Sequence, residues 1–159
     1  MKRFMDIIRE CLPEVPELWP WDLDERLKAG EDILILDVRE PYEFAAMHVP
    51  GSLNVPRGIL ESAVEYGYEE TEPELVEARN RPVVVVCRSG NRSLLAAKTM
   101  RMMGYQEVYN LKTGLRGWKD YEAPLVDGSG AAVDLEVGDV YFTPTVRPDQ
   151  LGPQRHRSP

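Results

Sequence analysis

The chain has 159 residues, 43% of them hydrophobic, and a formal net charge of −8, enough for one domain with a proper core and some appended segments. The acidic balance argues against nucleic acid or an anionic membrane as main partner, so any basic site must be local. Two cysteines, Cys11 and Cys87, make neither a disulfide framework nor a metal site and fit free thiols in a reduced, cytoplasmic setting.

Met1-Lys2-Arg3 looks like the charged start of a secretory leader. Asp6, Arg9 and Glu10 break the apolar stretch that would have to follow, and no run approaches the length of a membrane span. Phe4, Ile7, Ile8 and Cys11 recur at helical spacing, which predicts a short amphipathic helix over 3–12, ended by Pro13 and Pro16. Cys11 falls on its apolar face, where a thiol packs as a small hydrophobe. A second helix is expected within 19–32, with Pro20 at its first position, Asp22, Asp24 and Glu25 in its first turn and Gly30 as its cap.

The apolar runs ILILDV (33–38) and PVVVVC (82–87) have the composition of strands buried on both faces, and EVYNL (107–111) is a shorter third. Helical patterns around 58–66 and 92–103 separate them. This alternation predicts an α/β fold with a mainly parallel central sheet and helices on both faces. In the helix after Cys87, Ala96, Met100 and Met103 form the core-facing stripe, and Gly104 closes it. Beyond Leu125 the sequence predicts a flexible connector, a hairpin about Gly138-Asp139 within 135–148, and a disordered tail over 150–159.

The chemistry concentrates in CRSGNRS, residues 87–93. A buried strand that gives way to a helix within a few residues gathers backbone N–H groups that have no intrahelical partner, at the positive end of the helix dipole. Arg88 and Arg92 add positive charge if their side chains turn inward, and Gly90 permits a tight or left-handed turn. Each effect favours an anion, either a Cys87 thiolate or a bound oxyanion. A cysteine at a strand end is, taken alone, more often a buried small residue. The cluster of Cys, two Arg, Gly, Ser89 and Ser93 at one junction is what points to a reactive or anion-binding loop.

Together with Asp37-Val38-Arg39, Tyr42 to Phe44, His48-Val49-Pro50-Gly51, Asn54-Val55-Pro56 and the closing TGLRGWKDYEAPLV (113–126), this loop resembles the rhodanese family of single-domain sulfurtransferases. The resemblance covers roughly 18–126, leaving an N-terminal helical extension (1–17) and a C-terminal extension (127–159). It implies a rhodanese-like fold and a Cys-x-x-Gly-x-Arg loop filled by Cys87, Gly90 and Arg92. Cysteine-dependent phosphatases and arsenate reductases use a loop one residue longer, and here the sixth residue after the cysteine is Ser93. The departures are Met47 and Thr113, where many members have glycine.

By this resemblance Cys87 is the nucleophile that carries sulfane sulfur from a small anionic donor such as thiosulfate to a thiol, cyanide or a sulfur-carrier protein. Arg88, Ser89, Gly90, Asn91, Arg92 and Ser93 would bind the substrate. Asp37 is expected to hydrogen-bond backbone near the loop, Arg39 to pair with a nearby acid, and Arg57 to reach the site mouth. His48 is expected to be structural. No metal or organic cofactor is implied, and a monomer or a homodimer is equally compatible. A non-catalytic sulfur-binding module is the alternative from a different class.

Overall fold

The computed structural model describes residues 1–153. Five strands, β1 (Glu17–Leu18), β2 (Leu34–Asp37), β3 (Leu53–Asn54), β4 (Val83–Val86) and β5 (Val108–Leu111), form one sheet in the order β1-β5-β4-β2-β3. Every pairing is parallel, with Leu36 opposite Val85 and Asp37 opposite Val86. The two edge strands, β1 and β3, are two residues long, too short to leave a periodic trace in the sequence.

β2 and β4 are buried at every position, and alternate residues serve opposite faces. Val83, Val85, Leu34 and Leu36 pack with Ile8, Cys11, Leu60, Leu75, Leu94 and Met100. Those residues come from α1 (Phe4–Cys11), α4 (Leu60–Ala63), α5 (Pro73–Val76) and α6 (Asn91–Met102). Val84, Val86 and Ile35 pack on the other face with Leu23, Leu115, Trp118 and Phe142. These belong to α2 (Pro20–Lys28), α7 (Gly114–Asp120) and α8 (Leu135–Phe142). The sheet is therefore covered on both sides, as the uninterrupted apolar strands require.

Two local expectations change. The helical pattern at 58–66 resolves into a 3-10 turn at Arg57–Ile59 and the four-residue α4, ending before Tyr66. The hairpin expected about Gly138-Asp139 is instead helix α8. Gly138 is a point of close approach and not a turn: a Cβ there would lie 2.9 Å from Lys119 Cγ. The contact lets Lys119 Nζ reach Asp139 at 2.7 Å and seats Phe142 in the core. Of the tail expected to be disordered over 150–159, Gln150 closes a 3-10 turn at Pro148–Gln150, and residues 154–159 lie outside the described residues. Among the described residues no helix is long and apolar enough to cross a membrane.

Candidate active site

Cys87 follows β4 directly, at the carboxyl edge of the sheet, where open parallel sheets bind ligands. The chain then turns through Gly90, which has φ +98° and caps α6. That left-handed turn, open to glycine without strain, points the first amides of α6 back at the cysteine. Cys87 Sγ accepts from Gly90 N at 3.2 Å and Ser93 N at 3.3 Å, and lies 3.1 Å from the Ser93 hydroxyl. Two backbone donors at a helix N-terminus, with a hydroxyl in reach, are the environment that solvates a negatively charged sulfur. The residue is 1% exposed.

A second helix start braces the loop from outside. α7 donates Leu115 N to Cys87 O at 2.9 Å and Arg116 N to Arg88 O at 3.0 Å. Gly114 (φ +61°) makes this approach possible, since a Cβ there would sit 2.6 Å from the Arg88 carbonyl. Thr113 adopts φ +68° just before it, a left-handed conformation that glycine takes far more readily.

Asn110 on β5 completes the cradle, and nothing in the sequence motif singled it out. Its Nδ2 donates to Gly90 O and to Glu17 Oε2, both at 3.0 Å, and its Oδ1 accepts from Ser93 Oγ at 2.5 Å. The signal available was a polar residue inside an otherwise apolar strand, because a buried amide needs partners on both its ends.

Asp37 and Arg39 form a fully buried pair at the same sheet edge, with Arg39 Nη2 2.8 Å from Asp37 Oδ2 and donating to Met47 O at 2.6 Å. Asp37 Oδ1 also accepts from Arg39 N at 3.0 Å. Asn54 Nδ2 ties the Asp37 and Arg39 carbonyls together. The pair ties the segment after β2 to the Met47 carbonyl. Arg39 Nη1 is buried with no hydrogen-bond partner.

The hydrogen bonds of the two loop arginines go elsewhere than the sulfur, although Arg92 stays close enough to feel the charge of Cys87. Arg92 Nη1 and Nη2 bind Glu43 Oε1 and Oε2 at 2.8 and 3.1 Å, in a two-pronged pair with α3 (Pro41–Ala46). Burial works to raise the Glu43 carboxyl, but the hydrogen bonds and charge of Arg92 outweigh it and hold the group below its ordinary value. Arg88 turns outward, with Nη2 3.4 Å from Thr143 O beyond α8. Ser89 is exposed and Asn91 half-buried. On the Ser89 side lies an open cavity of about 640 Å³, lined among others by Trp19, Trp21, Thr113 and Arg116.

Arg57 binds Glu61 at 2.7 Å and Thr99 at 3.2 Å, two turns along α6 from the loop, and not the site mouth. His48 donates from Nδ1 to Phe44 O at 2.8 Å and stacks on the Phe44 ring. Its backbone pairs with Val126, so it holds the segment before β3 to the chain after α7. Cys11 is buried with Sγ 3.6 Å from Leu94 O, and burial pushes its thiol up. Among the described residues no group of three His, Cys, Asp or Glu is placed to hold a metal ion.

This arrangement can be set beside known proteins. The model of the rhodanese-like domain matches residues 20–121, and the chain belongs to that family. A protein named "Sulfurtransferase" from Allochromatium vinosum is 32% identical over 116 residues, 73% of this chain and 99% of that one. The "Putative sulfur carrier protein YrkF" of Bacillus subtilis is 34% identical over 109 residues, 69% of this chain, which spans only 54% of that relative's length. Among solved structures, RPA3614 of Rhodopseudomonas palustris, a protein of unknown function described as a "Possible Tyrosine Phosphatase", superposes with a TM-score of 0.71 at 29% identity, covering 78% of this chain and 94% of that one.

Proposed function

We propose that the protein is a sulfurtransferase that carries sulfane sulfur on Cys87. The observation that carries this reading is the pair of backbone donors on a buried Sγ, Gly90 N and Ser93 N, with the Ser93 hydroxyl within reach and shared with Asn110. Such donors stabilise a thiolate before attack and a persulfide anion after it without reorganising. With thiosulfate as donor, the Cys87 thiolate attacks the outer sulfur, the S–S bond breaks, and sulfite leaves with the bonding pair. The Cys87 persulfide then passes its outer sulfur to a thiol, to cyanide or to a cysteine of a carrier protein, and the thiolate returns. The relatives named as a sulfurtransferase and a sulfur carrier support this reading.

The description of RPA3614 raises phosphoryl transfer as a second reading. Four residues, not five, separate Cys87 from Arg92, and Arg92 is held by Glu43. Both features work against a bowl for a tetrahedral phosphate.

Intact-mass analysis tests the proposal. Incubation with a sulfane donor should add the mass of one sulfur atom to the protein, and Cys87→Ser should gain none. If the unaltered protein gains no sulfur from thiosulfate, mercaptopyruvate, polysulfide or a persulfidated thiol, the reading fails.

A further inference from the structure

The sulfur-transfer reading leaves the donor open, and the Arg92–Glu43 pair bears on it. An oxyanion donor brings two negative charges to a site that already holds the Cys87 thiolate. The backbone N–H groups at the start of α6 already serve the sulfur; further compensation would have to come from cations near it, and the two arginines of the loop are both engaged. Arg92 meets Glu43 with two parallel N–H···O bonds, the strongest geometry open to a guanidinium. Glu43 is only 10% exposed at its side chain, so an entering oxyanion that took Arg92 would strand a buried carboxylate. One that left the pair intact would lie beside a like charge.

The other cations nearby do not relieve this. Arg39 is matched by Asp37 in a fully buried pair. Arg88 is directed outward to the Thr143 carbonyl. Arg116 lines the open cavity on the Ser89 side, with Asp120 also lining it. Two arginine–carboxylate pairs thus cancel where the fold family's loop sequence would suggest a cationic bowl.

We propose that Glu43 acts as a built-in anion on Arg92 and makes the donor an organic persulfide, R–S–SH, whose reacting end need not carry a charge, in preference to an oxyanion such as thiosulfate. This rests on the sulfur-transfer reading of Cys87. In the step, the Cys87 thiolate bonds to the outer sulfur of R–S–SH, the S–S bond of the donor breaks, and R–S⁻ leaves with the electron pair. The outer sulfur keeps its proton, so Cys87–S–SH forms with charge and sulfur oxidation level balanced and no external oxidant. Glu43 is a positioning residue here: it acts on the donor through Arg92.

The test compares loading of Cys87 from thiosulfate and from cysteine persulfide in the unaltered protein and in Glu43→Gln, with kcat and KM resolved for each donor. The unaltered protein is expected to favour the persulfide. In Glu43→Gln the thiosulfate-to-persulfide ratio of kcat/KM should rise by about tenfold or more, the scale on which one adjacent charge acts, chiefly through a lower KM for thiosulfate. A ratio unchanged within about twofold, with loading intact, overturns the role of Glu43 alone. Failure of both donors to load either protein overturns the sulfur-transfer reading itself. A measurement on the unaltered protein covers the case in which the variant does not fold. Sulfate should leave the rate of Cys87 alkylation by iodoacetamide unchanged, and protection by low concentrations of sulfate overturns the proposal.

Discussion

Asn110 Oδ1 lies 2.5 Å from Ser93 Oγ, and Ser93 Oγ lies 3.1 Å from Cys87 Sγ. Both amide hydrogens of Asn110 face acceptors, the Gly90 carbonyl and the Glu17 carboxylate, so the Asn110 oxygen must face Ser93 and can only accept. A single hydroxyl proton therefore serves either Asn110 or the cysteine sulfur. A neutral thiol can donate to Ser93 while Ser93 donates to Asn110; a charged sulfur draws the hydroxyl proton to itself.

Ser93→Ala removes the side-chain donor and leaves the two backbone N–H groups. A hydrogen bond to a charged group contributes about 1.5–3 kcal/mol, so alkylation of Cys87 at neutral pH is expected to slow by roughly tenfold or more. Rates by iodoacetamide quench within twofold of the unaltered protein would show that the hydroxyl does not support the sulfur.

Gly114 decides whether α7 can brace the loop. Gly114→Ala would place a Cβ 2.6 Å from the Arg88 carbonyl and 2.7 Å from the Cys87 oxygen, both backbone and unable to swing aside. The bonds from Leu115 N and Arg116 N would be strained or lost, and φ +61° adds its own penalty of about 1–2 kcal/mol for a residue with a side chain. We expect a fall in the urea midpoint together with slower sulfur loading of Cys87. Thr113→Gly should do the opposite to stability, raising it by up to about 1 kcal/mol, because Thr113 already sits at φ +68°. A destabilised Thr113→Gly would mean that its hydroxyl contact to Lys112 O outweighs the backbone strain.

The Arg92–Glu43 pair carries a pH signature. Glu43 lies below its ordinary value in the folded state, so its contribution to stability is full above the ordinary carboxylate range. It is lost as pH falls through the depressed folded value. Urea midpoints of the unaltered protein and Glu43→Gln should therefore differ by a constant amount near neutrality and converge in acid. A gap that does not close on acidification would assign the difference to packing and not to the charge.

The site's framework was readable because its causes are local. Four valines in a row specify a strand buried on both faces, and Gly90 permits the left-handed turn that starts α6, so local sequence is enough to set Cys87 at the sheet edge. Arg39 meets its acid two residues away, in Asp37, whereas the backbone N–H that Asp37 accepts from is that of Arg39 and not one of the loop. The sequence leaves open whether Arg92 turns inward because its partner lies 49 residues earlier, and pairing at that distance depends on how α3 packs against α6. Arg57 misled for the same reason, since Thr99 stands on another helix. Asn110 carried no motif, and Gly138 read as a turn because a glycine at a helix contact and a glycine in a hairpin look alike in one dimension.

By itself, then, the sequence determined the three inner strands, the cysteine's station at the end of one of them, and the backbone donors that follow it, since hydrophobic runs and glycine conformations act within a few residues. Only the tertiary structure decided which charges face the sulfur. Charge acts through space and is cancelled by whatever partner the packing brings near, and here the packing brings Glu43 to Arg92 and turns Arg88 toward Thr143.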